Sequence, residues 1–191
     1  PEPQPGDLKY KDQNGDGVID QNDRIHISGA FPKFTYTFNF SVEWKNFDLG
    51  ARFYGSQGGK KFLNYQGASP FYKGTPPSTD WRNRWTPENP TNEMPRIYAG
   101  EDHSQIFNSM STYYLKDVSY LRLQNLQIGY TFPQTVLDHV GLSNLRVYYS
   151  GDNILTFSKL EGYDPERVAN IGTLANYPQN KIHSMGLTVN F

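Results

Sequence analysis

Eleven consecutive residues, Phe34-Thr35-Tyr36-Thr37-Phe38-Asn39-Phe40-Ser41-Val42-Glu43-Trp44, alternate without exception. Every even position is apolar or aromatic, and every odd position is polar. Successive side chains of an extended strand point to opposite faces, so this run predicts a strand with one apolar and one wet face. Lys45-Asn46 predicts a tight turn, after which Phe47-Asp48-Leu49-Gly50-Ala51-Arg52-Phe53 alternates again, now with apolar residues at odd positions. The two runs read as a β-hairpin. The pattern returns at Leu126, Ile128, Tyr130 and Phe132, at Leu145, Val147 and Tyr149 on to about Phe157, and at Met185, Leu187, Val189 and Phe191. Between Leu121 and Gln124 the phase slips, which predicts a bulge. The fold class is all-β, with antiparallel strands.

The lengths of strands and connections carry the reading further. A run of eleven residues suits a tilted strand crossing a bilayer, which needs about 9–11 residues; strands in soluble sheets usually have about five or six. Residues 1–33, 56–112 and 158–180 are long polar segments, whereas 45–46 and 133–143 are short. Outer-membrane barrels keep short turns in the periplasm and long loops outside. The strand at Phe34 is therefore expected to enter from outside, and the last strand to end at the periplasm. Rings at Trp44 and Tyr130, near strand ends, suit interfacial girdles. Five crossings fall short of the roughly eight strands of the smallest transmembrane barrel. Residues 1–33 are expected to be an extracellular loop, and 34–191 the C-terminal strands and loops of a larger transmembrane β-barrel whose remaining strands precede Pro1. Phe34, Tyr36, Phe38, Phe40, Val42, Trp44, Met185, Leu187, Val189 and Phe191 are expected to face outer-membrane lipid. His183 shares that parity at the outer end of the last strand, where an amphipathic ring is tolerable.

Composition is compatible with this. Aromatic residues make up 15% of the chain, with 14 Tyr and 12 Phe, which favours strands. Mean hydropathy is −0.71, but every second residue of a barrel strand faces water. No run of about 18 apolar residues supplies a transmembrane helix. A net charge of −1 argues against a nucleic-acid partner. With no Cys, disulfides, thiolate metal sites and a thiol nucleophile are excluded. The competing reading is a soluble calcium-binding β-domain that binds glycans at the cell surface, since sandwich strands alternate too.

Asp12-Gln13-Asn14-Gly15-Asp16-Gly17-Val18-Ile19-Asp20-Gln21-Asn22-Asp23 matches the calcium-loop template. Side-chain oxygens of Asp12, Asn14, Asp16, Asp20 and Asp23, with the Val18 carbonyl, fall at ligand positions, and Gly17 stands where the loop turns sharply. Hard Ca²⁺ takes about six to eight oxygens, and a short loop rich in Asp and Asn converges them on one point. The departure is Asp23 at the position usually held by Glu. The four His residues lack metal-binding spacing. No Ser nucleophile motif, phosphate loop or dinucleotide fingerprint is present, so the chain is not expected to be an enzyme. Glu161, Asp164 and Glu166 are expected to be solvated. Trp81, Trp85 and Tyr72, in the longest loop, are candidates for stacking on substrate sugars.

Four segments are similar to the C-terminal part of the SusC/RagA-like TonB-dependent transporters of Bacteroidetes. They are Pro5-Gly6-Asp7-Leu8-Lys9-Tyr10-Lys11-Asp12 leading into Asn14-Gly15-Asp16-Gly17; Pro32-Lys33-Phe34 through Trp44-Lys45-Asn46-Phe47-Asp48-Leu49; Tyr120-Leu121-Arg122-Leu123-Gln124-Asn125-Leu126-Gln127-Ile128-Gly129-Tyr130; and Ser150-Gly151-Asp152-Asn153 through Gly162-Tyr163-Asp164-Pro165-Glu166. Trp85-Thr86-Pro87-Glu88-Asn89-Pro90 also looks like the family. The resemblance implies a barrel of about 22 strands with an internal plug, in the bacterial outer membrane. It implies import of glycans, oligosaccharides or peptides, a SusD-like surface lipoprotein over the outer mouth, and energy delivered by TonB through an N-terminal part absent here. It also ties the apolar face ending in Phe191 to the barrel assembly machinery.

Overall fold

The structure is a computed structural model that describes residues 3–62, 70–71, 76–97, 111–167 and 177–191. Among them are seven strands: β1 (Phe34–Trp44), β2 (Phe47–Gln57), β3 (Lys60–Phe62), β4 (Leu115–Asp117), β5 (Tyr120–Thr131), β6 (Asn144–Ser158) and β7 (Ile182–Asn190). β1, β2, β5, β6 and β7 form one sheet in that order, each pair antiparallel. The five long strands are those read from the alternation. No helix among the described residues is long and apolar enough to cross a membrane; strands do that in a barrel.

Backbone contacts divide the chain into two compact units. One comprises residues 1–28, 62–116 and 170–174. The other holds the large sheet and comprises 29–61, 117–169 and 175–191. The long segment after β2 thus clusters with the N-terminal segment. β3 and β4 lie where the chain passes from one unit to the other.

Both short connections sit at one edge of the sheet. Lys45 takes the left-handed conformation, φ 54°, that a two-residue hairpin turn needs. The other contains the single-turn helix α1 (Gln134–Leu137). Leu137 anchors it, 2% exposed, and Gly141 at φ 70° lets the Leu142 N–H return to the Leu137 carbonyl at 3.2 Å.

The registers place the alternating residues in rows that run across the whole sheet. One face carries Trp44, Phe47, Tyr130, Val147 and Leu187 in one row, and Val42, Leu49, Ile128, Tyr149 and Met185 in the next. Phe40, Ala51, Leu126, Gly151 and His183 follow, then Phe38, Phe53, Leu123 and Leu155. The opposite face carries Glu43, Asp48, Gly129, Tyr148 and Gly186; then Ser41, Gly50, Gln127, Ser150 and Ser184; then Asn39, Arg52, Asn125 and Asp152. One face is therefore predominantly apolar and the other predominantly polar; the exceptions are His183 on the first and Ile182, opposite Asp152, on the second. The expected phase slip in β5 is real: both registers of that strand pass from Leu123 to Asn125, skipping Gln124. Over the same interval β2 advances from Arg52 to Phe53 and β6 from Asp152 to Leu155.

Most of the apolar face is bare, with Leu123 beside the bulge the buried exception. Phe38 is 63% exposed, Leu187 68% and Met185 87%. Large apolar side chains in one continuous exposed sheet require an apolar surrounding. For a face set in hydrocarbon, Phe38→Arg in the full-length protein is expected to lower barrel stability by about 2–4 kcal/mol, and Asn39→Arg, on the polar face, by less than about 1 kcal/mol. Urea unfolding in lipid vesicles measures both, and equal losses would contradict the assignment of faces.

Candidate functional site: the polar face and the outer segments

Three pairs of charged and amide side chains on the polar face bond across strands. Arg146 grips Asp48 with two hydrogen bonds, Nε to Oδ1 at 3.0 Å and Nη2 to Oδ2 at 2.5 Å. The pair crosses the intervening strand above Gly129, where a Cβ would overlap both side chains. Glycine is required there by close approach. Further along, Arg52 Nε donates to Asn39 Oδ1 at 3.1 Å and Asn125 Nδ2 donates to Asp152 Oδ1 at 2.8 Å.

Toward the edge with the long connections, the same face buries Arg122, which is 2% exposed. Its Nη2 donates to Asp164 Oδ1 at 2.5 Å, and Glu166 Oε2 lies 3.0 Å from its Nη1. The guanidinium sits over the Tyr120 ring, 5.6 Å from its centroid. Asp164 also accepts the Gln179 N–H at 2.9 Å and the Glu166 N–H at 3.0 Å, while Gln179 Nε2 donates to Glu166 Oε2 at 2.7 Å. Burial pushes the Asp164 carboxyl up, but the Gln179 N–H, Arg122 and the Glu166 N–H outweigh it and hold the group below the usual carboxylate range. Asp164 is therefore not a solvated loop acid. Its partner is 42 residues away in sequence, and no spacing rule could have found it. The network joins the start of the β6–β7 connection, at Asp164, to its end, at Gln179, on one fixed cation.

The other unit has a small core of its own. Trp81 and Tyr114 are each 4% exposed and pack with Leu8, Phe62, Met94, Ile97 and Tyr113. This corrects the expectation for Trp81: its ring is core and has no face to offer a sugar. Trp85 is half-buried. Its ring lies against Gly6, whose φ of +89° and lack of Cβ permit the approach. The Arg96 N–H bonds the Gly6 carbonyl at 2.9 Å and Arg96 Nε bonds Asp7 Oδ1 at 2.5 Å. Tyr72 lies outside the described residues.

The Asp-rich loop is in the same unit and closes on itself. Asp12 accepts the Gly15 and Gly17 N–H groups at 2.6 and 2.7 Å, and Asp16 accepts that of Val18 at 2.8 Å. Asp23 accepts the N–H of Asp20 at 2.8 Å and that of Gln13 at 2.7 Å. Those two donors, Asp20 first, depress the Asp23 carboxyl. The twelfth position thus lies beside the first two. Among the described residues, no three acidic or imidazole groups are gathered closely enough to hold a metal as they stand.

No family model matches the chain. It is 34% identical over 198 aligned residues to TonB-dependent receptor P3 of Formosa agariphila, and 32% over 201 to TonB-dependent receptor P26 of the same organism. These alignments cover 98% and 97% of this chain but only 19% and 20% of the relatives. The RagAB peptide importer in its open-open state superimposes with a TM-score of 0.71 at 25% identity, over 95% of this chain and 20% of that one. A second structure, of the RagAB peptide transporter, gives 0.70 at 25% identity over 91% of this chain. The chain is a segment of a SusC/RagA-like TonB-dependent receptor. It is thus part of a transmembrane β-barrel of the bacterial outer membrane, and the soluble alternative falls away. The receptor segment spans about a fifth of its relatives' length.

Removing one partner of a buried ion pair strands the other. In the full-length receptor, Arg122→Met is expected to destabilise by about 3–5 kcal/mol. The double variant Arg122→Met, Asp164→Asn should recover most of that loss. Thermal unfolding of the four proteins of the cycle measures this; a double variant no more stable than the single one would show that the pair is not coupled.

Proposed function

We propose that the receptor of which this chain is a segment imports glycans, oligosaccharides or peptides across the outer membrane. TonB powers it through a part outside this chain, and a SusD-like surface lipoprotein is its partner. The observation that carries this reading is the five-strand sheet with one predominantly apolar face and one predominantly polar face bonded across strands. Such a wall separates lipid from a wet lumen. In that wall Phe34, Tyr36, Phe38, Phe40, Val42, Trp44, Met185, Leu187 and Val189 face lipid, and the Asp48–Arg146 and Asn39–Arg52 pairs face the lumen. The name of the RagAB importer supports the transport class. A strain lacking the receptor is expected to lose growth on one class of oligomer, glycan or peptide, while growing normally on its monomers. Unchanged growth on every oligomer tested would overturn the reading.

The second element of the proposal is a structural Ca²⁺ in the loop Asp12–Asp23. Ligand spacing supports it, as does a loop already closed with its twelfth residue against its second. Asp12, Asn14, Asp16, Asp20 and Asp23 would supply side-chain oxygens and Val18 its carbonyl, after a local turning of the carboxylates now bonded to backbone N–H groups. The cation would offset the repulsion of four carboxylates within twelve residues. For a loop outside the cell, which the alternation of short and long connections supports, even a dissociation constant of about 10⁻⁴–10⁻³ M would keep it filled. Melting temperature of the full-length receptor is expected to rise with millimolar calcium, and Asp12→Ala, Asp16→Ala should abolish that rise. A calcium-dependent rise of equal size in the double variant would sink the proposal.

A further inference from the structure

We propose that the lipid-facing side of this segment holds a phosphorylated lipid of the outer leaflet, its phosphate against Lys181 and His183, the imidazole oriented by Tyr149, and one acyl chain in the groove beyond them. The inference rests on the lipid-facing assignment made above. Polar side chains are few on the apolar face, and in hydrocarbon each must find a partner. Tyr149 and His183 find each other: the hydroxyl lies 2.7 Å from Nδ1, with ring centroids 6.0 Å apart. Tyr149 reaches across Gly151, where a Cβ would stand 2.7 Å from the hydroxyl. When the hydroxyl donates to Nδ1, the neutral imidazole carries its proton on Nε2, ready to donate to an anion. Lys181, one residue before β7, falls on the parity of His183 and forms no ion pair with a described residue.

Next to this pair lies an apolar groove of about 230 Å³ lined by Phe47, Ile128, Tyr130, Val147, Tyr149 and Met185. Tyr149 belongs to both features. Met185 is 87% exposed, and its flexible thioether adapts to an acyl chain. Along the chain from just before β7 inward, the order is Lys181, then His183 with Tyr149, then the apolar groove. That is the order of a phosphorylated lipid from headgroup to chain, and the cation selects an anionic one. A protein partner would have no reason to match this gradient along the membrane normal.

The test uses the full-length receptor in detergent and native mass spectrometry. The probes are lipid A bearing its phosphates and the same lipid A after their removal. The phosphorylated form is expected to be retained and the phosphate-free form not. Lys181→Ser, His183→Gln should reduce retention about fivefold, the effect of one cation near a charged headgroup. Lys45→Ser, at the opposite edge of the sheet, should retain lipid like the native protein. Equal retention of both lipids by the native receptor overturns the site, and that comparison needs no variant. So does undiminished retention by the double variant. Either outcome leaves the lipid-facing assignment itself standing, since that is read separately from Phe38→Arg and Asn39→Arg.

Discussion

A backbone amide or carbonyl in hydrocarbon has no water to bond, so it must find a partner in a neighbouring strand. Everything else in the receptor segment follows from that demand. It makes the strands long, since each must span the apolar layer. It makes them antiparallel neighbours in sequence, because short turns at one edge and long connections at the other are the simplest route back. It also fixes register across the sheet. A slip of one residue would turn Phe38 and Phe40 to the polar side and Asn39 and Ser41 to the apolar one. Each row of partners is therefore held twice, by ladder bonds and by the sorting of side chains.

The polar face meets the same rule in another way. Most of its charged side chains bond across strands, and the deepest of them, Arg122, is the most completely enclosed. Arg122 holds acids from the β6–β7 connection rather than from the sheet. A buried cation with its counter-charges on Asp164 and Glu166 ties them to Gln179 as a disulfide would tie two points in a chain with cysteines. The other unit achieves the same end with rings, closing Trp81 and Tyr114 around a few apolar side chains.

The barrel wall was legible in the sequence because alternation is a local signal. Phe34 to Trp44 needs no knowledge of distant residues to be read as a two-faced strand, and the phase slip before Asn125 marks the bulge directly. The long connecting segments were not legible, because their order depends on contacts between residues far apart. Asp164 looks like any loop acid until Arg122 is beneath it. Trp81 looks like an exposed ring until Leu8 and Tyr114 close over it. The Asp12–Asp23 loop is intermediate: its spacing raises the expectation of a cation, while the structure shows a loop closed by carboxylate bonds to backbone N–H groups. The cross-strand pair of Asp48 and Arg146 was missed although both lie in strands read correctly, since pairing two strands over needs the register of three.

The stepped register around Gln124 has a consequence for how such chains diverge. Over one interval, three adjacent strands advance by one, two and three residues. The sheet therefore fans at that level, and each strand's length is set by the strand before it. A single inserted or lost residue in β5 or β6 would put everything beyond it on the wrong side of the wall. Descendants can change length there only in compensated sets, a gain in one strand answered in the next. Among relatives, gaps within these strands should be inherited together, while the long outer connections, free of that coupling, drift in length independently.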